Sequence, residues 1–235
     1  FARLAVFAGG CTLAAAEEVA EADLDTLQSL VDKSLLRMSG ERFWMLETVR
    51  EYAAERLTEA GGAEQLRQRH ADWFLALAEE AEPHLPAFRR DWLARLAAGQ
   101  LFAAFDAAFP RLDAEHDNLR AAADSLAAAG ETQRLLRLTA ALARFWLVRG
   151  HLFEGRRRLE DALRADERPT AARGKALNGA AMLADDTATG RGRAEEALAL
   201  HRALGDDWGV AQSTLVLAAA STDDMVRANR VYEES

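Results

Sequence analysis

Leu35-Leu36-Arg37-Met38, Ser39-Gly40-Glu41 and Arg42-Phe43-Trp44-Met45 decide how the 235-residue chain is read. Two short runs of β-prone residues flank a Ser-Gly pair, the pattern of a hairpin. Two-residue alternation is scarce elsewhere; most windows repeat apolar residues at i, i+3, i+4 and i+7, as amphipathic helices do. Ahead of the hairpin, Thr12 is a candidate cap for one short helix, and a second is expected over about 24–34. Behind it, Leu46, Val49, Ala53 and Leu57 mark one face of a helix that Gly61-Gly62 should end. Helix, helix, hairpin and helix within some 60 residues is a winged-helix pattern, and residues 1–61 are assigned to it.

From Ala63 onward the pattern is helical throughout, and residues 62–235 are expected to form an α-α superhelix of tetratricopeptide-like repeats. Leu66, His70, Trp73, Phe74, Leu77 and Ala81 line one helix, and Trp92, Leu93 and Leu96 open another. Between Glu131 and Arg149, Leu135, Leu138, Leu142 and Phe145 form one apolar stripe; Leu136, Ala140, Ala143 and Leu147 form a second. A helix apolar on two sides is sandwiched between neighbours. Arg193-Ala194 recurs as Arg227-Ala228, and Leu177, Ala181 and Ala184 match Ala211, Leu215 and Ala218, both at the tetratricopeptide spacing of about 34. The first helices of such pairs line the inner surface, so Arg137, Arg144, Asn178 and Gln212 are candidates for a partner-binding groove.

Composition narrows the function. Half the residues are hydrophobic and 29% charged, as in chains with a real core. No run approaches the roughly 18 apolar residues of a membrane span. The one cysteine, Cys11, excludes an internal disulfide and suits a reducing, cytoplasmic setting; it reads as a buried thiol. The net charge is −9, with residues 1–60 carrying 6 Lys/Arg against 11 Asp/Glu. Neutralising phosphates needs clustered cations, so the charge argues against nucleic acid. The helix over 24–34 offers Asp25, Thr26, Gln28, Ser29 and Asp32, with Lys33 its only cation.

Motifs for catalysis are missing. Gly174-Lys175 is followed by Ala176 and preceded by Pro169 where a phosphate loop needs glycine; Gly190-Arg191-Gly192 meets Glu195 where a dinucleotide fingerprint needs its third glycine. His70, His84, His116, His151 and His201 are widely spaced, without ligand pairs for a metal. Glu115-His116-Asp117 is the compact titratable trio, and consecutive helical residues face different ways, so surface pairing or capping is its expected role. Asp185-Asp186, Asp206-Asp207 and Asp223-Asp224 read as caps. Phe102, Phe105 and Phe109 share one helical face and either pack on the next helix or form an apolar patch. Arg149, Arg156, Arg157 and Arg158 sit beside Glu154, Glu160 and Asp161, as on a solvated face. No catalytic residue and no metal ligand is assigned; the chain is expected not to be an enzyme.

Arg3-Leu4-Ala5-Val6-Phe7-Ala8-Gly9-Gly10, Leu30-Val31-Asp32-Lys33-Ser34-Leu35 and Met45-Leu46-Glu47-Thr48-Val49-Arg50-Glu51-Tyr52-Ala53 resemble the bacterial STAND-class signalling ATPases. Many of these are described as LuxR-type or AfsR-type transcriptional regulators. Arg69-His70-Ala71, Ala114-Glu115-His116-Asp117-Asn118-Leu119-Arg120 and Leu204-Gly205-Asp206 continue the match over almost the whole chain. The resemblance implies an NB-ARC-type domain binding ATP or ADP upstream, no cofactor in this region, and repeats that bind a partner protein, a peptide or a small inducer. Met45-Leu46-Glu47 is similar to the Met-His-Asp element that watches the nucleotide in related winged helices. Leu46 stands for its histidine, which leaves Glu47 and Arg50 as candidates for holding the interface with the nucleotide domain. Residues 99–110 look like an insertion, and the last repeat has Asp223-Asp224 where a glycine is usual. The expected function is a non-catalytic regulatory and sensor region of such a regulator; the alternative is a DNA-binding winged-helix regulator.

Overall fold

The computed structural model describes residues 1–85 and 108–220, and it is mainly α-helical with one small sheet. It divides into two compact units. The first comprises Phe1–Leu77 and Asp113–Ala129; the described part of the second comprises residues 78–85, 108–112 and 130–220. Gly61, where the sequence ended the winged helix, lies inside the first unit.

The first unit opens with a 3-10 turn, Ala2–Val6, followed by β1 (Cys11–Thr12), α1 (Leu13–Ala20), α2 (Leu24–Asp32), β2 (Arg37–Ser39), β3 (Arg42–Trp44) and α3 (Glu47–Ala60). The hairpin forms as its sequence requires, with Gly40 at φ 58° in the turn. Its partner was not foreseen: β1 pairs antiparallel with β3, Cys11 opposite Phe43, giving the sheet order β1-β3-β2. Two residues are too few for alternation to show, so only the pairing reveals β1. The caps behave as read: the Thr12 hydroxyl accepts from the Ala15 amide at 3.3 Å, and Asp23 accepts from Thr26 at 2.9 Å. Satisfying orphan amides in this way is what makes Ser, Thr and Asp stable N-caps. Leu27, Leu30, Leu36, Phe43, Ala53 and Leu57 are buried beneath this frame. Leu46, expected on the buried face of α3, is 40% exposed instead, because it precedes the first helical turn.

α4 (Ala63–Ala81) buries Leu66, His70, Phe74 and Leu77 along one stripe, in the order its spacing dictates. Residues 108–114 are helical, Glu115 breaks the run, and α5 (His116–Ala128) follows, burying Asn118, Leu119, Ala122, Ala123 and Leu126.

The second unit holds α6 (Thr132–Arg149), α7 (Leu152–Ala165), α8 (Ala171–Met182), α9 (Thr187–Leu204) and α10 (Asp207–Ala220). α6 pairs with α7 and α8 with α9, while the first helices α6, α8 and α10 stack in succession. This is a helical repeat. As its two stripes required, α6 is buried on both sides, from Leu135 and Leu136 to Phe145 and Trp146. The repeat step, however, is 35 rather than 34. Asn178 of α8 and Ser213 of α10, 35 positions apart, touch each other, and the amide donates to the hydroxyl at 3.0 Å. The same step pairs buried Gly155, Leu159, Ala162 and Leu163 of α7 with buried Gly190, Ala194, Ala197 and Leu198 of α9. A step of 34 fails because it sets buried Leu177, Ala181 and Ala184 against Ala211, Leu215 and Ala218, all exposed. Arg227-Ala228 and Asp223-Asp224 lie outside the described residues, as do Trp92, Phe102 and Phe105.

Candidate functional site

Polar side chains from three sequence-distant segments converge with the backbone of residues 8–10 inside the first unit. Arg42 leaves β3 and forms an ion pair with Glu115 through both carboxylate oxygens, one of them 3.2 Å from Nη2. The same Nη2 donates to the carbonyls of Gly9 and Gly10 at 3.1 and 3.2 Å. Asn118, fully buried in the first turn of α5, donates from Nδ2 to the Gly10 carbonyl at 2.8 Å and to Glu115 Oε2 at 2.7 Å. Its Oδ1 accepts from the Ala8 amide at 2.9 Å, and His70 Nε2 of α4 lies 3.3 Å from the same oxygen. Because both Nδ2 partners are acceptors, the amide has one orientation; Oδ1 can only accept, so His70 carries its proton on Nε2.

Burial sets the electrostatics. Glu115 is only 4% exposed, so its charge is tolerable only with Arg42 and Asn118 beside it. His70 packs between Phe7 and Phe74, and burial pushes its pKa down to about 4, leaving the ring neutral. The nearby Cys11 thiol is pushed up to about 12, also by burial, which makes it the inert thiol its apolar context implied. Gly10 fits where no other residue would: at φ +77°, an added Cβ would stand 2.5 Å from the Phe43 carbonyl oxygen.

The sequence put Glu115 in a surface trio, and the structure corrects that. A carboxylate at a helix break can turn inward, and a partner 73 positions away leaves no local trace. Asp117 stays exposed and pairs with Arg120, as a surface residue would. No group of side chains that could hold a metal ion occurs among the described residues.

The other candidates fall in different places. Glu47 and Arg50 lie together at the start of α3, where Arg50 Nε donates to Glu47 at 3.0 Å; Glu47 is well exposed. Among the groove candidates, Arg137 of α6 makes a two-pronged pair with Glu79, at 2.8 and 2.7 Å. Asn178 is buried at 5% exposure and joins α8 to α10, while Arg144 and Gln212 are half-buried. Phe109 is also buried, its ring stacked on Phe145 with centroids 6.4 Å apart and the Arg149 guanidinium 4.8 Å over it. Phe109 thus packs against α6. Two arginines of the basic group are ion-paired, Arg156 with Asp185 while also donating to the Leu183 carbonyl, and Arg158 with Glu154.

On α2, Leu24 is 52% exposed, and Asp25, Thr26, Gln28, Asp32 and Lys33 share the surface with it. On the hairpin, Arg37 lies 5.4 Å over the Trp44 ring, and Arg42 is turned inward to Glu115.

A second buried histidine marks the array. His201 at the end of α9 is held at Nδ1 by Asp206, 2.9 Å away, which also accepts from the Gly209 amide to open α10. Its ring occupies the space where side chains at Gly174 and Gly209 would stand; added Cβ atoms would come within 2.4 and 2.0 Å of it. The two glycines are one repeat apart, and they let α8 and α10 close on the ring.

No helix of the described residues is long and apolar enough to cross a membrane. No protein-family model and no solved structure matches the chain. Curated relatives do: two proteins of Mycobacterium tuberculosis strains and one of Mycobacterium bovis, each named "Putative HTH-type transcriptional regulator", are 34% identical to it over 232 residues. The match covers 88% of this chain, which spans only 24% of each relative's length. The chain is therefore similar to one part of much longer proteins named as regulators of transcription.

Proposed function

We propose that this chain is a non-catalytic regulatory and interaction region of a transcriptional regulator. Its repeat array takes a partner protein, a peptide or a small inducer, and the winged-helix unit packs on an upstream domain that binds ATP or ADP. The observation that carries this reading is the surface of α2, where acidic side chains and caps outnumber the single cation, Lys33. A major-groove reader brings Arg, Lys or Asn towards a polyanion, and this helix brings carboxylates. In this reading Glu47 and Arg50 meet the upstream domain, and Arg137, Arg144, Asn178 and Gln212 border a groove along α6, α8 and α10. Of these, Asn178 supports the groove wall from inside rather than touching an occupant.

Regulation requires that an occupant bind the two states of the parent protein with different affinity. Titrating nucleotide into the intact parent protein, with and without Glu47→Ala and Arg50→Ala, tests the arrangement. A shift in ADP or ATP affinity, with the fold unchanged, is the expected result. An intact gene product without a phosphate loop upstream of Phe1 would sink the ATPase part of the proposal.

The second reading is a DNA-binding winged helix, and the name of the relatives favours it. Fluorescence anisotropy with duplex DNA at low salt separates the two. Tight, salt-sensitive binding that Lys33→Glu abolishes would establish DNA contact through α2 and overturn the first reading.

A further inference from the structure

We infer that residues 113–129 are a latched strap of the winged-helix unit, and that the strap, the wing and the turn before β1 open together as one cooperative element.

The strap arrives late in the chain, yet it completes a unit whose other parts precede residue 78. Its N-terminal end holds that unit by polar contacts that span 48 to 110 positions of sequence. Each contact serves more than one element. Glu115 binds Arg42 of the wing, and Arg42 in turn holds the Gly9 and Gly10 carbonyls. Asn118 binds that same turn from both sides, through Ala8 N–H and the Gly10 carbonyl, while reaching Glu115 and His70.

Withdrawing the strap would leave the part-buried Arg42 guanidinium without its carboxylate, and would take from the Ala8 amide and the Gly10 carbonyl the bonds that Asn118 makes to them. Leaving buried polar groups unpaired costs their full desolvation, so partial release is worse than none. Half-made states are therefore sparsely populated. The apolar side of α5, with Leu119, Ala122, Ala123 and Leu126, adds burial that is lost in the same step.

The wing consequently reports on the strap. An event that pulls on α5, which runs through Gly130 directly into the first helix of the array, would free the hairpin as well. No contact between the two compact units is needed, because the covalent chain supplies the link.

The test is hydrogen exchange of the full chain under native conditions with rising urea. The amides of residues 116–128, 37–44 and 8–11 should merge on one opening isotherm in the wild type. Glu115→Gln keeps the shape but removes the charge, and it should speed exchange of all three segments about tenfold or more, as loss of a charge-assisted bond predicts. Separate isotherms in the wild type would overturn the inference without any variant. Acceleration confined to residues 115–120 in Glu115→Gln would overturn it equally.

Discussion

The two units hold helices together in contrasting ways. In the first, Arg42, His70, Glu115 and Asn118 meet from segments far apart in sequence, and both polar atoms of the Asn118 amide have specific partners. In the second, α6 to α10 stack on small and apolar residues that recur at a step of 35, so each helix is held by its sequence neighbours. A polar junction demands particular side chains at particular places. A repeated apolar seam demands only size and spacing, and it tolerates exchange of Leu159 for Ala194 between equivalent positions.

The difference makes predictions, the largest in the array. Phe145 is fully buried against Phe109 and His151, and Phe145→Ala should cost about 3–5 kcal/mol, measured by urea denaturation with exchange reporters in α6 and α8. A small effect there would show that the array is loosely packed.

The next prediction separates the units by pH. The folded pKa of His70 lies below its unfolded value, so the unfolded chain takes up the proton first. Its contribution is complete above pH 6.5 and is lost as pH falls towards about 4, an order of 3 kcal/mol in total. In the array, Arg168 beside Asp166 holds that carboxyl well below the usual range, with Thr132 and Gln133 adding hydrogen bonds. Stability from Asp166 is therefore present above the ordinary carboxylate pKa and fades only in stronger acid. Exchange in α4 should rise between pH 6.5 and 4, and His70→Phe should flatten that rise. Equal sensitivity in both units over that window would erase the contrast.

Gly10→Ala comes third. Both the positive φ and the collision with the Phe43 carbonyl act on it, and about 2 kcal/mol should be lost from the first unit alone. Calorimetry that found the variant unchanged would mean the turn can shift, and that the junction is less rigid than its bonds imply.

The smallest effect should be shared by the units. Thr12 and Thr170 cap α1 and α8 in the same manner, each hydroxyl accepting from an amide at 3.3 Å. Each Thr→Ala change should cost about 1 kcal/mol. A marked inequality in denaturation midpoints would show that even local caps feel the two modes of assembly.

Much of the fold was legible in the chain. The hairpin at Ser39-Gly40, the caps at Thr12 and Asp186, and the doubly apolar α6 were all read from residues within a few positions of each other. The resemblance pointed at Ala114 to Arg120 but gave Glu115 no partner. The matches at an offset of 34 gave a repeat but missed its step by one residue. An Ala-rich helix offers matches at several offsets, and only burial shows which of them face inward.

The sequence by itself determined where helices begin and end and which of their faces are apolar, because capping and amphipathicity are local properties of the chain. Only the tertiary structure decided that β1 pairs with β3, that Glu115 turns inward to Arg42, that Asn118 closes the turn at Gly10, and that α8 and α10 meet around His201. The physical reason is distance along the chain: a desolvated carboxylate needs a cation somewhere, and nothing in its neighbours says which of the 29 Lys and Arg residues the fold will bring.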